Sequence, residues 1–347
     1  MFTVFEGPTA DSVWCEIADA FRSGEGTTQP SRIGETREIL HSAMSISNPS
    51  QRWVTSRVPT INIAFALAEV VWILTGRNDA KFLNYFNRQL PKFAGHATTY
   101  HGAYGRRLRS HLGIDQLQRA YEALHNKPSS RQVVLQIWDS RIDLPRSSGK
   151  EASSDVPCNV ASILKVRDGK LHWMQIMRSN DVYMGLPYNI VQFTTLQEVI
   201  AGWLELELGE YNQISNSLHV YKRDLERVYK AERKPVPVNT DSLAFPKSDS
   251  ECYFAELAAN VERLVDNRKG VESIFSTLDS SRLPSPFRNI LSILTAEAAR
   301  RREQEDHIVA ALSYCHNPIY RYLYERWLTR CSRSHLVTKS TARAFAS

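Results

Sequence analysis

DVPCNVASILKVRDGKLHWMQIMRSNDVYMGLPYNI, residues 155–190, is the stretch on which the fold turns. Within it, VASILKVRDGKLHWMQIM (160–177) holds two strand-like runs joined by Asp168-Gly169. That dipeptide supplies the positive φ values a two-residue hairpin turn requires. Cys158 follows a proline and precedes the first run, so it either packs the mouth of a strand or stands as an aimed nucleophile; the hairpin alone does not choose. After the second run, Arg178, Ser179, Asp181 and Asn189 fall close together on a strand end and a Gly-Pro loop. Strand ends and loops are where a rigid sheet presents reactive groups. An arginine beside a serine suits a phosphate, because the guanidinium fork and the hydroxyl both donate to its oxygens.

Working outward, IGETREILHSAMSI (33–46) reads as extended, and INIAFALAEVVWILTG (61–76) as a helix that is apolar almost all round and stopped by Gly76. Such a helix belongs between layers. Glu69 lies inside it, and a buried carboxylate is protonated, paired or functional. PSSRQVVLQIWDS (128–140) reads as a strand, DLPRSSGKEASSD (143–155) as a loop, VQFTTLQEVIAGWLELELG (191–209) as a helix ending at Gly209, and NSLHVYK (216–222) as a short strand. Past the Pro-rich 234–246, residues 251–267 and 286–315 carry apolar residues at helical spacing. The expectation is an α+β body, a mixed sheet packed with helices over 1–238, followed by a helical extension over 239–347. RRREQED (300–306) reads as a solvated helix face with internal ion pairs.

Composition narrows the class. The 347 residues are 42% hydrophobic and 23% charged, ordinary for a soluble globular protein. The N-terminus has no signal-peptide pattern, and the apolar run Ile61–Leu74 is too short and interrupted to span a bilayer. Five cysteines without CxxC spacing point to reduced thiols in a cytoplasm, and give no metal-site pattern. Cys15, Cys252, Cys315 and Cys331 are assigned to packing or chance exposure. The net charge of +6 fits a phosphorylated small molecule as well as nucleic acid.

The chain resembles the thymidylate synthase superfamily, which includes the deoxypyrimidylate hydroxymethylases. The resemblance rests on VPCNV, the twenty-residue step from Cys158 to Arg178, RSNDVYMGLPYNI and LHVY (218–221). Upstream, SRIGET (31–36), AEVVWILTG (68–76), AYGRRLR (103–109) and SSRQVVLQIWD (129–139) match in order, so that residues 20 to 230 are covered. It implies that Cys158 adds to C6 of a pyrimidine ring, that Arg32, Arg178 and Ser179 bind the nucleotide phosphate, and that Arg131 reaches across a homodimer to the partner's phosphate. Gln132 stands where the family has a second arginine. It further implies that Asn189 reads the pyrimidine edge, that His219 and Tyr221 hold the sugar hydroxyl, and that Asp181 binds the pterin of 5,10-methylene-tetrahydrofolate. Glu69 would run the proton traffic at the base, supported by Tyr104.

Departures from the synthase pattern bear on the product. NYFNRQLPKFAGHATTY (84–100) lacks the tryptophan of methylating members, Asn159 replaces a histidine and Ser217 an aspartate, and the chain runs on where synthases end in a short tail. The expected activity is one-carbon transfer to C5 of a pyrimidine nucleoside monophosphate, with hydroxymethylation ahead of reductive methylation. A catalytically idle nucleotide-binding protein is the reading from another class. No membrane, metal or nucleic-acid partner is expected.

Overall fold

Among the residues described by the computed structural model, 2–266, 276, 278–279 and 281–344, eight strands form one mixed sheet. They are β1 (Thr3–Gly7), β2 (Thr27–Gln29), β3 (Thr36–Ile46), β4 (Val134–Gln136), β5 (Asn159–Arg167), β6 (Lys170–Met177), β7 (Asn180–Asp181) and β8 (Glu207–Tyr221). The order across the sheet is β1-β3-β8-β6-β5-β4, with β2 paired to β3 and β7 to β8. The α+β architecture expected from the sequence is the one observed.

The hairpin forms where Asp168 and Gly169 take φ values of 49° and 72°. It pairs β5 with β6 from Arg167↔Lys170 to Asn159↔Met177. β7 continues the line of β6 along the same neighbour: β6 pairs with β8 as far as Met177↔Ser215, and β7 resumes at Asn180↔Leu218. Arg178 and Ser179 occupy the break. A ladder interruption therefore releases them from the pleat at the sheet end where Cys158 precedes β5.

The longer helices are α1 (Ala10–Arg22), α2 (Ile63–Leu74), α3 (Ala80–Phe86), α4 (Gln116–Asn126), α5 (Leu186–Trp203), α6 (Lys247–Val265), α7 (Ser285–Arg301), α8 (Glu305–Ser313) and α9 (Pro318–Ala344). α2 is capped by Asn62, whose Oδ1 accepts from the Phe65 N–H at 3.1 Å. It ends as the sequence predicts: Gly76 takes φ 70° and the Arg77 N–H reaches back to the Trp72 carbonyl at 3.0 Å. Every residue of α2 except Glu69 is buried, because it packs against α5 and also against α6, α7 and α9. The buried apolar residues make one cluster, from Phe5 to Tyr324.

Five expectations need correction. The helix placed at 191–209 is α5, which ends at Trp203. Glu205 takes φ 57°, the Leu206 N–H bonds the Ala201 carbonyl at 2.9 Å, and the chain turns into β8. Gly209 is therefore a strand residue rather than a helix cap; a Cβ there would stand 2.8 Å from the His172 ring. The short strand at 216–222 is the end of the fifteen-residue β8, and the strand at 128–140 contracts to β4. The arginines of 300–306 are not a solvated face. Arg300 and Arg301 pair with the buried Glu297 at 2.7 and 2.8 Å, and Arg302 donates to the Tyr85 hydroxyl at 2.5 Å and the Leu264 carbonyl at 2.9 Å. The chain breaks at Glu303, φ 58°, so the expected helix 286–315 is two helices, α7 and α8. The Glu297 pairs lie within one helix, while Arg301 and Arg302 also reach other elements at the Phe86 carbonyl, the Tyr85 hydroxyl and the Leu264 carbonyl.

The C-terminal helices also grip the loop that enters α2. Arg326 donates to the Thr55 carbonyl and Arg330 to the Thr60 carbonyl, each at 2.8 Å. The sequence end, 345–347, and Asn267 lie outside the described residues. Among the described residues no helix is long and apolar enough to cross a membrane.

Candidate active site

Cys158 sits one residue ahead of β5, and the Arg178 N–H closes on its carbonyl at 3.0 Å. The Arg178 side chain folds back over the same loop. Its Nε donates to the Pro157 carbonyl at 2.8 Å, its Nη2 to the Val156 carbonyl at 3.0 Å, and Nη2 lies 4.0 Å from Cys158 Sγ. Burial pushes the Cys158 thiol up, and the Arg178 guanidinium pulls it back. A thiolate formed here is stabilised by a fixed cation.

Asp181 and His219 face each other in the β7–β8 ladder. Asp181 Oδ1 accepts the Tyr183 and Met184 N–H groups at 2.8 and 2.9 Å, which pins the Gly-Pro turn. Burial raises its carboxyl, with the turn amides and His219 opposing. Along β8 the buried positions run on odd numbers to Ser215 and on even numbers from Leu218, so His219 and Tyr221 leave the packed set. Their rings meet edge-on at 5.5 Å, and His219 Nδ1 is buried without a partner.

Asn189 lies in the first turn of α5. Its Nδ2 donates to Asn180 Oδ1 at 3.1 Å, and Asn180 Nδ2 donates to Ser215 Oγ at 3.2 Å. This relay fixes the orientation of the Asn189 amide, leaving its oxygen as the unspent acceptor.

Glu69, on α2, carries a carboxyl pushed up to about 8 by burial, with Gln192 of α5 opposing weakly. Its Oε2 has no hydrogen-bond partner. Tyr104 closes the group. Burial raises its hydroxyl far above the usual phenol range; Cys158, Asp155 and Glu69 push the same way, and the neighbouring Asn159 amide pulls against them. Asn159 takes Gln175 Nε2 on its Oδ1 at 2.9 Å while its own Nδ2 is buried and unpartnered.

Of the eleven residues singled out from the sequence, Cys158, Arg178, Ser179, Asp181, Asn189, His219, Tyr221, Glu69 and Tyr104 converge around this sheet end and the facing helices. Arg32 is half-exposed nearby, paired with Glu151 at 2.8 Å; its charge also lowers the Cys158 thiol. Arg131 does not join them within one chain. It is exposed on the lead-in to β4, and its carbonyl accepts Lys165 Nζ at 2.5 Å. Sequence reasoning missed Gln192, although three residues after Asn189 is the same helix face. It also missed Asp155, which opens the quoted stretch but reads as loop end.

Unpartnered buried polar atoms recur here: Glu69 Oε2, Asn159 Nδ2, Gln192 Oε1 and His219 Nδ1. Interiors pair such atoms as a rule, so a cradle of both donors and acceptors fits a polar heterocycle such as a pyrimidine or a pterin.

Comparison with known proteins agrees with this geometry. The thymidylate synthase family profile matches residues 18–260. The chain is 32% identical over 280 residues to a deoxyuridylate hydroxymethyltransferase of Bacillus phage SP01, covering 74% of this chain and 72% of that protein. It is 34% identical over 209 residues to a deoxyuridylate hydroxymethyltransferase of Pseudomonas phage M6, covering 59% of this chain and 58% of that one. A thymidylate synthase of Francisella philomiragia is 27% identical over 190 residues, 52% of this chain and 69% of the other. The chain belongs to the thymidylate synthase family, a family of pyrimidine C5 transferases.

Proposed function

We propose that this protein transfers a one-carbon unit from 5,10-methylene-tetrahydrofolate to C5 of dUMP and releases the 5-hydroxymethyl nucleotide. The observation that carries the reading is the convergence of Cys158 and Arg178, through Tyr104, with the Glu69 carboxyl, whose Oε2 has no partner. Cys158 adds through sulfur to C6, which makes C5 a carbon nucleophile. Arg178, Ser179 and Arg32 take the phosphate, and His219 and Tyr221 the sugar hydroxyl. Glu69, protonated at neutral pH, and Tyr104 manage protons at the C4 oxygen and C5. Asp181 would hold the pterin, and the folate, when bound, supplies the carbon at the oxidation level of formaldehyde.

The orientation of Asn189 supports uracil. With Nδ2 committed to Asn180, Oδ1 is left to accept, and uracil presents an N3–H donor where cytosine presents an acceptor. The hydroxymethyl outcome is supported by Asn159, Ser217 and the missing tryptophan of 84–100, and by the names of the two phage relatives.

A homodimer is part of the proposal. Val134, Ile163, Met174, Ile176, Ile214, Ala43 and Val4 lie in cross-strand register on one face of the sheet. Val4 and Val134 are 55% and 53% exposed. A second copy covering this face would bring Arg131 toward the partner's site, and sedimentation of the full chain tests the stoichiometry. Residues 1–238 would carry the chemistry and 239–347 would brace the loop entering α2.

The test is product mass. The protein is incubated with methylene-tetrahydrofolate and dUMP, dCMP, UMP or CMP. A gain of CH2O on dUMP without dihydrofolate is expected. A gain of CH2 with dihydrofolate would refute the hydroxymethyl reading, and no C5 tritium release from any nucleotide would leave an idle nucleotide-binding protein.

A further inference from the structure

A second buried carboxyl stands beside the nucleophile and has no place in the scheme above. Asp155 lies three residues before Cys158, and its Oδ2 accepts the Gly102 N–H at 2.8 Å. The two segments are in tight contact: a Cβ on Gly102 would sit 2.8 Å from the Asp155 carbonyl oxygen and 3.2 Å from its Oδ1. Gly102 leads into the turn that carries Tyr104, so the clamp ties the wall bearing Tyr104 to the loop bearing Cys158. The Asp155 carboxyl acts electrostatically on both the Cys158 thiol and the Tyr104 hydroxyl, alongside Asn159 and Glu69.

Behind Asp155 lies a cationic support. Arg107 grips Asp143 through two bonds of 2.9 Å, and His101 Nε2 lies 2.7 Å from Asp143 Oδ1. Burial holds the Asp155 carboxyl above the usual carboxylate value; the Gly102 N–H and the charges of His101 and Arg107 oppose that rise, and Asp143 adds to it. Tyr100, on the same loop, feels its charge. Glu69 has no such support beyond Gln192 and keeps its proton to about pH 8. Burial raises both carboxyls, but only Asp155 has a backbone N–H and two cationic side chains that favour its ionised form. A carboxyl raised by burial yet still assisted toward its charged form suits a general base.

We propose that Asp155 is the catalytic base that binds and deprotonates the water of the hydroxymethyl step, an inference that rests on the hydroxymethyl reading above. After the folate has left, the ring carries an exocyclic methylene at C5 and the sulfur of Cys158 at C6. The water oxygen bonds to the exocyclic carbon and its proton passes to the Asp155 carboxylate. The π electrons of the exocyclic double bond move onto the C4 carbonyl oxygen. Collapse of that enolate re-forms C5=C6, expels the Cys158 thiolate and leaves the hydroxymethyl group; Asp155 then returns its proton to solvent. A methylating pocket must exclude water from this intermediate. A carboxyl that can take a proton from water, placed on its wall, does the opposite.

The experiment compares the wild type with Asp155→Asn and Asp155→Glu, using 5-tritiated dUMP and methylene-tetrahydrofolate, and follows tritium release and hydroxymethyl product together. In the wild type the two run one to one. In Asp155→Asn tritium is still released while product falls about 100-fold, the scale of a lost general base, and added 2-mercaptoethanol is captured at the exocyclic carbon. Asp155→Glu recovers part of the product. Without any ligand, Asp155→Asn moves the pH midpoint of Cys158 alkylation downward, because a nearby negative charge has been removed. The inference is overturned if tritium release and product fall by the same factor, which is the signature of a purely structural clamp, if both are retained, or if the alkylation midpoint does not move. Wild-type enzyme that yields thymidylate would instead sink the hydroxymethyl reading itself, and the role of Asp155 with it.

Discussion

Replacing Glu69 with glutamine should stabilise the folded chain in a strongly pH-dependent way while abolishing turnover. The carboxyl is held at about 8 against an ordinary value of 4.5. A gap of about 3.5 pH units, at about 1.4 kcal/mol per unit, corresponds to about 5 kcal/mol. The sign follows from the direction. Between about pH 4.5 and about pH 8 the folded protein keeps the proton that the unfolded chain has released, so folding takes up a proton and stability falls as pH rises. Below that window both forms are protonated and the penalty is absent; above it the buried charge is fully expressed. Glutamine has the shape of the protonated acid and cannot ionise. Urea midpoints of wild type and Glu69→Gln, measured from pH 5 to pH 8, should therefore diverge by about 1.4 kcal/mol per pH unit, with other titrations cancelling in the difference. C5 tritium release in the variant should fall by a factor on the order of 100 or more. A stability difference that stays flat over this range would refute the reasoning. Function here costs stability, as strained sites commonly do.

Arg178→Lys keeps a charge but loses the fork that holds the Pro157 and Val156 carbonyls. The alkylation midpoint of Cys158 should rise, and tritium release should fall about 10- to 100-fold, read by iodoacetamide titration and exchange. Gly202→Ala places a Cβ 2.5 Å from the Ala244 backbone; overpacking at that contact should cost about 1–3 kcal/mol in a denaturant titration. Glu297→Ala leaves Arg300 and Arg301 without their buried partner, and the loss should be about 3–5 kcal/mol by the same measurement.

Much of the architecture was legible in the residues. The Asp168-Gly169 turn, the buried helix stopped by Gly76 and the extended 36–46 segment each depend on local backbone chemistry, which a sequence states directly. Local rules failed where a contact from elsewhere outweighed them. Gly209 looks like a helix stop, yet it is a strand residue held close to the His172 ring. Arg301 and Arg302 look like solvent-facing charge, yet they reach two helix-end carbonyls and a phenol on other elements.

The site divides in the same way. Cys158, Arg178, Asp181 and Asn189 were visible because their spacing along one hairpin and one turn is itself the constellation. Glu69 was visible because a carboxylate in an apolar helix demands a reason. Which way the Asn189 amide points could not be read, since Asn180 and Ser215 set it from two other elements. Nor could the part of Asp155, whose carboxyl acquires meaning only when Gly102 and Tyr104 fold against it. Sequence by itself determined most of the elements and the grouping of Cys158 with Arg178, Ser179 and Asp181, because these follow from short-range periodicity and spacing. Tertiary structure alone decided the protonation and orientation of the groups around them, because burial and the field of distant side chains exist only once the chain has closed.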